Sequence, residues 1–335
     1  MGDNVEVVYF PKDSGANKYV AINKSIISSL ERFYMDDDVG LRDFFNVTLL
    51  LKRRFNKTVV IVNWLENLIK SRSGKLSMLG VFKYFLAIFV IKIHGARLVY
   101  VRHNFYPHGM RHRSSKLAQR LTNFGQWFAD RKVSLSPHLK SSGYFYLPHP
   151  LYNNCAPSEY GENELDYYVI FGRIERYKNI DRVIKEWASP NRLIIAGSSD
   201  DGAYLSEIKA LTDGKNIRVI SNNLSDLEAA QLVKYSSGLI ISHSHPNTIV
   251  SGSFFFGASC GVRIFALETD FFRFLVDKNS YQGLVLASSI IEISNEIVRI
   301  ERSEAKIDHN QLYDEAALHF GDSKVASSWS EILTF

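Results

Sequence analysis

Cysteine is nearly absent from this sequence. Two residues in 335, Cys155 and Cys260, exclude a disulfide-stapled scaffold and a cysteine-built zinc site, and they fit a reducing compartment. The signatures of several common chemistries are missing as well: no GxxxxGK[ST], no GxGxxG after a strand, no HExxH and no GxSxG. No Asp-x-Asp triplet lies in a mid-chain loop to hold a metal-bound diphosphate, and Asp36–Asp38 reads as a solvated acidic turn. No basic-then-apolar leader follows Met1, so a cleaved signal peptide is not expected. A clean membrane span is also lacking. The longest apolar stretch, Leu76–Ile93, carries Lys83 and Lys92, nine residues apart and therefore on opposite faces of a helix. That stretch reads as a mostly buried helix, with a helix lying at a membrane interface on snorkelling lysines as the alternative.

What is present is apolar bulk and a lopsided charge. Hydrophobic residues make up 46% of the chain, enough for a large core and against disorder. The net charge of +5 conceals a first half, 1–150, at +13 and a remainder at −8. Between 52 and 140 only Glu66 and Asp130 oppose 18 cations. Such a split predicts two domains with different partners, the basic one suited to a polyanion or an anionic membrane, or simply a solvated basic face. Short apolar runs alternate with helical patterns in both halves: strands at Val5–Phe10, Thr58–Asn63, Arg97–Arg102, Lys132–Ser134, Tyr167–Phe171, Arg192–Ala196, Ile217–Ile220, Gly238–Ser242 and 262–266, with helices between. This predicts an α/β chain of two doubly wound domains, 1–152 and 166–321, joined by a polar linker at 153–165, with ligands at the carboxyl ends of the strands.

Four stretches at predicted strand ends can carry chemistry. In FGRIERYKNIDRVI, Gly172 ends a strand and Arg173 and Lys178 stand before a helix, a site for a pyrophosphate or a surface loop of solvated charges. In HPNTIVSGSFFFGAS, Thr248, Ser251, Gly252 and Ser253 open an apolar helix whose free N–H groups can hold phosphate oxygens or be merely capped. In RHNFYPHG, Arg102, His103, Asn104 and His108 supply acid, base or phosphate ligands without metal spacing. In NWLEN, Glu66 is a lone carboxylate in a cationic region, expected to stay ionised and to serve as a base or to pair structurally.

Taken together these stretches resemble the two-domain GT-B glycosyltransferases, and among them the bacterial exopolysaccharide enzymes related to the xanthan-assembly β-mannosyltransferase. The resemblance rests on Trp64-x-Glu66 after the second strand, on His103-Asn104-x-x-Pro107-His108, on Gly172-x-Ile174-x-x-Tyr177-Lys178, and on Ser251-Gly252 before an apolar helix. It implies two Rossmann-like domains facing across a cleft, with the final helix, 322–335, returning to the first. It implies a donor site for a nucleoside-diphosphate sugar at Gly172, Arg173, Lys178, Asn247, Thr248 and Ser251–Ser253, with GDP-mannose or a UDP-sugar as donor. It further implies Glu66 or His103 as base, Trp64, Arg102, Asn104 and His108 around a polyprenyl-diphosphate-linked or other saccharide acceptor, and no metal or other cofactor. No acidic residue lies between Glu228 and Glu268, where many retaining members carry a glutamate, and Asn247 and Thr248 stand where an acid is often found; this favours inversion. The expected place of work is the cytoplasmic face of the cell membrane, in peripheral contact with anionic lipid. Nucleic-acid binding by the basic half is disfavoured, because its aromatics are not spaced as a base-stacking platform. An inactive module of the same fold is the other alternative.

Overall fold

The computed structural model describes residues 5–12, 17–46, 57–107, 109–153, 165–244, 249–303 and 308–335. The chain divides into two compact units. One comprises Met1–Pro150, a short stretch ending at Val250, and Asp322–Phe335; the other comprises Leu151–His245 and Ser251–Gly321. Of the expected linker, 154–164 lie outside the described residues.

The first unit runs β1 (Val5–Phe10), α1 (Lys18–Ser28), β2 (Phe33–Met35), β3 (Thr58–Asn63), α2 (Met78–Ile93), β4 (Arg97–Arg102), α3 (His112–Trp127), β5 (Arg131–Ser134) and β6 (Phe145–Tyr146). Its described strands form one parallel sheet in the order β2-β1-β3-β4-β5-β6, with the winding reversing between β1 and β3. The continuous apolar run TVVIVN makes β3 buried on both faces, as a central parallel strand must be. One face of the sheet packs on α1, capped by Asn17, and the other on α2, capped by Ser77.

The second unit runs β7 (Leu165–Phe171), α4 (Ile180–Glu186), β8 (Arg192–Ala196), α5 (Gly202–Leu211), β9 (Ile217–Ile220), α6 (Asp226–Lys234), β10 (Ser236–Ile241), α7 (Gly252–Ser259), β11 (Ile264–Leu267), α8 (Asp270–Asn279), β12 (Leu284–Ala287), α9 (Ile290–Arg302) and α10 (His309–Phe320). Its parallel order is β9-β8-β7-β10-β11-β12, the doubly wound arrangement with its reversal between β7 and β10. The capping box Ser225–Glu228 starts α6, satisfying two backbone N–H groups reciprocally.

The last helix, α11 (Asp322–Leu333), belongs to the first unit. Its Val325, Trp329, Ile332 and Leu333 are buried in the core around α1 and β1, and the Trp329 indole N–H donates to Asn23 Oδ1 at 2.8 Å.

Candidate active site

In the second unit the chemistry gathers at the winding reversal between β7 and β10, the place where open α/β sheets bind ligands. Gly172 follows β7 with φ +103, a conformation closed to most side chains, and a Cβ there would stand 3.0 Å from Lys178 Nζ and 3.5 Å from Ser253 Oγ. Lys178 is only 6% exposed, and among the described residues its ammonium reaches no nearer partner than Phe171 O at 3.5 Å. Burial, with a smaller contribution from Arg173, pulls its pKa down to about 8 although Glu175 opposes this. Ser253, in the first turn of α7, donates to the same Phe171 carbonyl at 3.1 Å. Two links fix the backbone around the lysine: Ser242 Oγ donates to Lys178 O, and Asn179 Nδ2 donates to Ser242 O at 3.1 Å. The α7 helix itself is core, its Phe256 stacked on Phe171 with centroids 4.6 Å apart. The result is a glycine, one buried cation and a helix start brought together, the components of an anion site.

The structure thus brings together Gly172, Lys178 and Ser253, with Ser251 at the N-cap and Gly252 behind it. Arg173 departs from this group: it is 61% exposed on its side chain and paired with Glu175 and Asp200. Asn247 and Thr248 lie outside the described residues. Tyr177 of the Gly172–Lys178 motif and His243, which the sequence did not single out, meet edge to face at 5.2 Å beside the lysine loop.

In the first unit the corresponding reversal lies between β1 and β3. Asn63, the last residue of β3, spans it by donating from Nδ2 to Phe10 O at 2.9 Å. Trp64 follows in the left-handed region at φ 53 and turns its ring onto His103, stacked at 4.0 Å. Tyr19 of α1 closes edge-on over both, at 5.7 and 5.0 Å, and lies 4.9 Å from His149. Tyr19, Asn63 and His149 were not among the expected site residues, because only tertiary packing unites them with His103. Burial, and secondarily the repulsion a protonated His149 would exert, holds the His103 pKa well below its ordinary value.

Glu66 occupies the other face of the same sheet. It is fully buried, accepts from Tyr100 Oη at 3.1 Å, and its Oε1 has no hydrogen-bond partner among the described residues. Tyr100 and its neighbour Tyr84 belong to the core under α2, whereas Val99 and Val101 belong to the core around α1 that Trp64 joins. Its pKa moves opposite to the expectation from the cationic sequence around it: burial raises it from the ordinary 4.5 to about 7, against its hydrogen bonds and the distant pull of Arg102. Arg102 is likewise occupied within the protein. Its guanidinium donates to Asn104 O at 3.2 Å, Phe105 O at 2.9 Å and Tyr144 Oη at 2.7 Å, clamping the loop that carries His103. His108 lies outside the described residues.

A third feature is a surface. Leu76–Ile93 is not mostly buried: Met78, Leu79, Phe82, Phe89 and Ile93 stand exposed along α2. Leu117, Phe124 and Trp127 of α3, with Phe128, stand exposed beside them, and Phe85 packs on Phe124 at 5.7 Å between the helices. Eight of the fifteen large exposed apolar side chains among the described residues fall in this helix pair and a ninth, Phe128, directly follows it, a patch of the kind that marks an interaction site. Lys83, Arg113, Lys116 and Arg120 are exposed on the same two helices, while Lys92 is tied to Asp130 at 2.7 Å. Among the described residues no helix is long and apolar enough to cross a membrane.

No family model matches the chain, and no curated protein matches it in sequence. Solved structures do match. HepE from Anabaena, in complex with UDP-glucose, superposes with a TM-score of 0.68 at 12% identity, over 99% of this chain and 100% of that one. Sucrose-phosphate synthase from Thermosynechococcus elongatus gives 0.69 at 12% over 98% of each chain. A glycosyltransferase from Rickettsia africae gives 0.67 at 10%, over 99% and 98%. At such identities the likeness establishes the fold: this chain has the α/β, two-unit architecture of GT-B glycosyltransferases.

Proposed function

We propose that this protein is an inverting, metal-independent glycosyltransferase. It moves a sugar from a nucleoside-diphosphate sugar, GDP-mannose or a UDP-sugar, to a polyprenyl-diphosphate-linked or other saccharide acceptor in bacterial surface polysaccharide assembly. The observation that carries this reading is the buried Lys178 ammonium held beside Gly172 and the start of α7 at the winding reversal of the second unit. A desolvated cation with so poor an intramolecular partner suits a diphosphate, whose departure it stabilises by fixed charge. The second unit takes the donor and the first the acceptor. The acceptor oxygen bonds to the anomeric carbon as the bond from that carbon to the diphosphate oxygen breaks, and the acceptor proton passes to His103. Glu66 is assigned a structural place, since its carboxyl is sealed among Tyr100 and the α2 core. The complexes of HepE with UDP and with UDP-glucose support the donor class.

The test is a thermal-shift panel of GDP, UDP, dTDP and their sugars. One base is expected to raise Tm, since a ligand at 100 times its Kd stabilises by about 2.7 kcal/mol. No shift with any of them overturns the reading, and a shift without transfer to any acceptor gives the inactive module instead.

The α2–α3 surface completes the proposal with peripheral attachment to the inner face of the cell membrane. Exposed Phe and Trp insert at the headgroup level, and each nearby cation adds about 1 kcal/mol of attraction to anionic lipid. The full chain is expected to sediment with phosphatidylglycerol vesicles, and Phe82→Glu combined with Trp127→Glu to release it while leaving nucleotide binding intact. Retention of that double variant on the vesicles refutes the assignment.

A further inference from the structure

Asn63 faces two partners of different character, and this fixes the state of His103. The backbone carbonyl of Phe10 can only accept, so the Asn63 atom 2.9 Å from it is the Nδ2 donor. The amide oxygen Oδ1 is thereby turned to His103 Nε2, also at 2.9 Å. An amide oxygen can only accept, so Nε2 must carry the proton. In the neutral ring the lone pair then resides on Nδ1, which has no hydrogen-bond partner among the described residues.

We infer that Asn63 is a positioning residue that locks His103 in the Nε2–H tautomer and presents Nδ1 as the proton-accepting atom. The catalytic consequence rests on the transferase reading above; the tautomer itself does not. Trp64 stacked on one face of the ring, Tyr19 edge-on from α1, and His149 beyond Tyr19 leave the imidazole little freedom to turn over. Trp64 and Tyr19 carry no charge near neutral pH, and His149 is held neutral by its own burial, with its pKa at about 4. No formal charge in this ring cluster therefore selects the tautomer, and the amide is left to do so. On transfer, Nδ1 takes the acceptor's hydroxyl proton as the new glycosidic bond forms, giving an imidazolium whose Nε2–H still points to Asn63.

Long-range proton–nitrogen NMR of the histidine-labelled full chain, with His103→Gln used for assignment, reads the tautomer directly. The wild type is expected to show Nε2–H alone, and Asn63→Ala a mixture of both tautomers. Asn63→Asp, which keeps an acceptor oxygen and adds a negative charge, is expected to retain Nε2–H and to move the acid limb of kcat/KM upward. Asn63→Ala is expected to lose about tenfold in kcat with donor KM unchanged, a fraction of what a general base contributes. A wild-type His103 protonated on Nδ1, or an Asn63→Ala protein still wholly Nε2–H, overturns the inference whatever the protein's activity. Nε2–H in a chain with no transferase activity leaves it standing and removes only the transferase reading.

Discussion

Replacing Lys178 with alanine is expected to lower kcat/KM for sugar transfer by on the order of 10³ and to reduce sharply the Tm shift produced by the cognate nucleotide. The size follows from the lysine's setting. Its ammonium is buried, so the field it exerts on a diphosphate is little screened. Arg173 cannot take over while Glu175 and Asp200 hold its guanidinium. A pH dependence accompanies the prediction. Burial lowers the lysine pKa to about 8, so the unliganded protein loses this charge as pH rises through that value. Nucleotide affinity is therefore expected to decline above pH 8 in the wild type and to be flat there in Lys178→Ala. Isothermal titration across pH 6.5–9.5 checks both, and unaltered affinity in the alanine variant removes the Gly172–Lys178–Ser253 group as the donor site.

The second large effect concerns stability. Glu66 titrates at about 7 in the folded chain and near its ordinary 4.5 when unfolded, because burial disfavours its anion. The folded state therefore binds more protons than the unfolded state between those values, and stability must fall as pH rises from about 4.5 to about 7. Above that range the full penalty, about 3 kcal/mol from the cited shift, is in force. Glu66→Gln carries no such charge. It is expected to be as stable as wild type or slightly less at pH 4.5, and more stable by about that amount at pH 8, measured by urea unfolding. Equal stability of the two proteins at pH 8 means that Glu66 is not desolvated as described. Loss of transfer in a well-folded Glu66→Gln returns the carboxylate to the role of base.

The contrast between Glu66 and Lys178 shows what can be read from a linear chain. Strand-turn-helix punctuation places Gly172 and Lys178 together because the two are six residues apart on one βα connection. The long central strands, with their unbroken apolar runs, are equally plain. Three short strands escape: Phe33–Met35, Phe145–Tyr146 and Leu284–Ala287 occupy outer positions in their sheets and are too brief to show a pattern. Glu66 looks like a carboxylate in a cationic field because sequence neighbours count charge but not depth; Tyr100, thirty-four residues away, sets its environment. Trp64 and Glu66, two apart, go to opposite faces of the sheet, a divergence created by the left-handed turn at Trp64. The ring cluster of Tyr19, Trp64, His103 and His149 draws on four separate segments, and no spacing rule joins them. The α2 surface escapes for a different reason: apolar sequence alone does not say which side of a helix finds a partner.

The return of α11 to the first unit bears on how the chain is made. Trp329 fills the core between α1 and β1, yet it leaves the ribosome some three hundred residues after they do. The unit whose sheet is synthesised ahead of the other is therefore completed after it, and until Leu333 has emerged its interior lacks Val325, Trp329, Ile332 and Leu333. The second unit has its whole sequence in hand once Gly321 has emerged and can fold ahead of it.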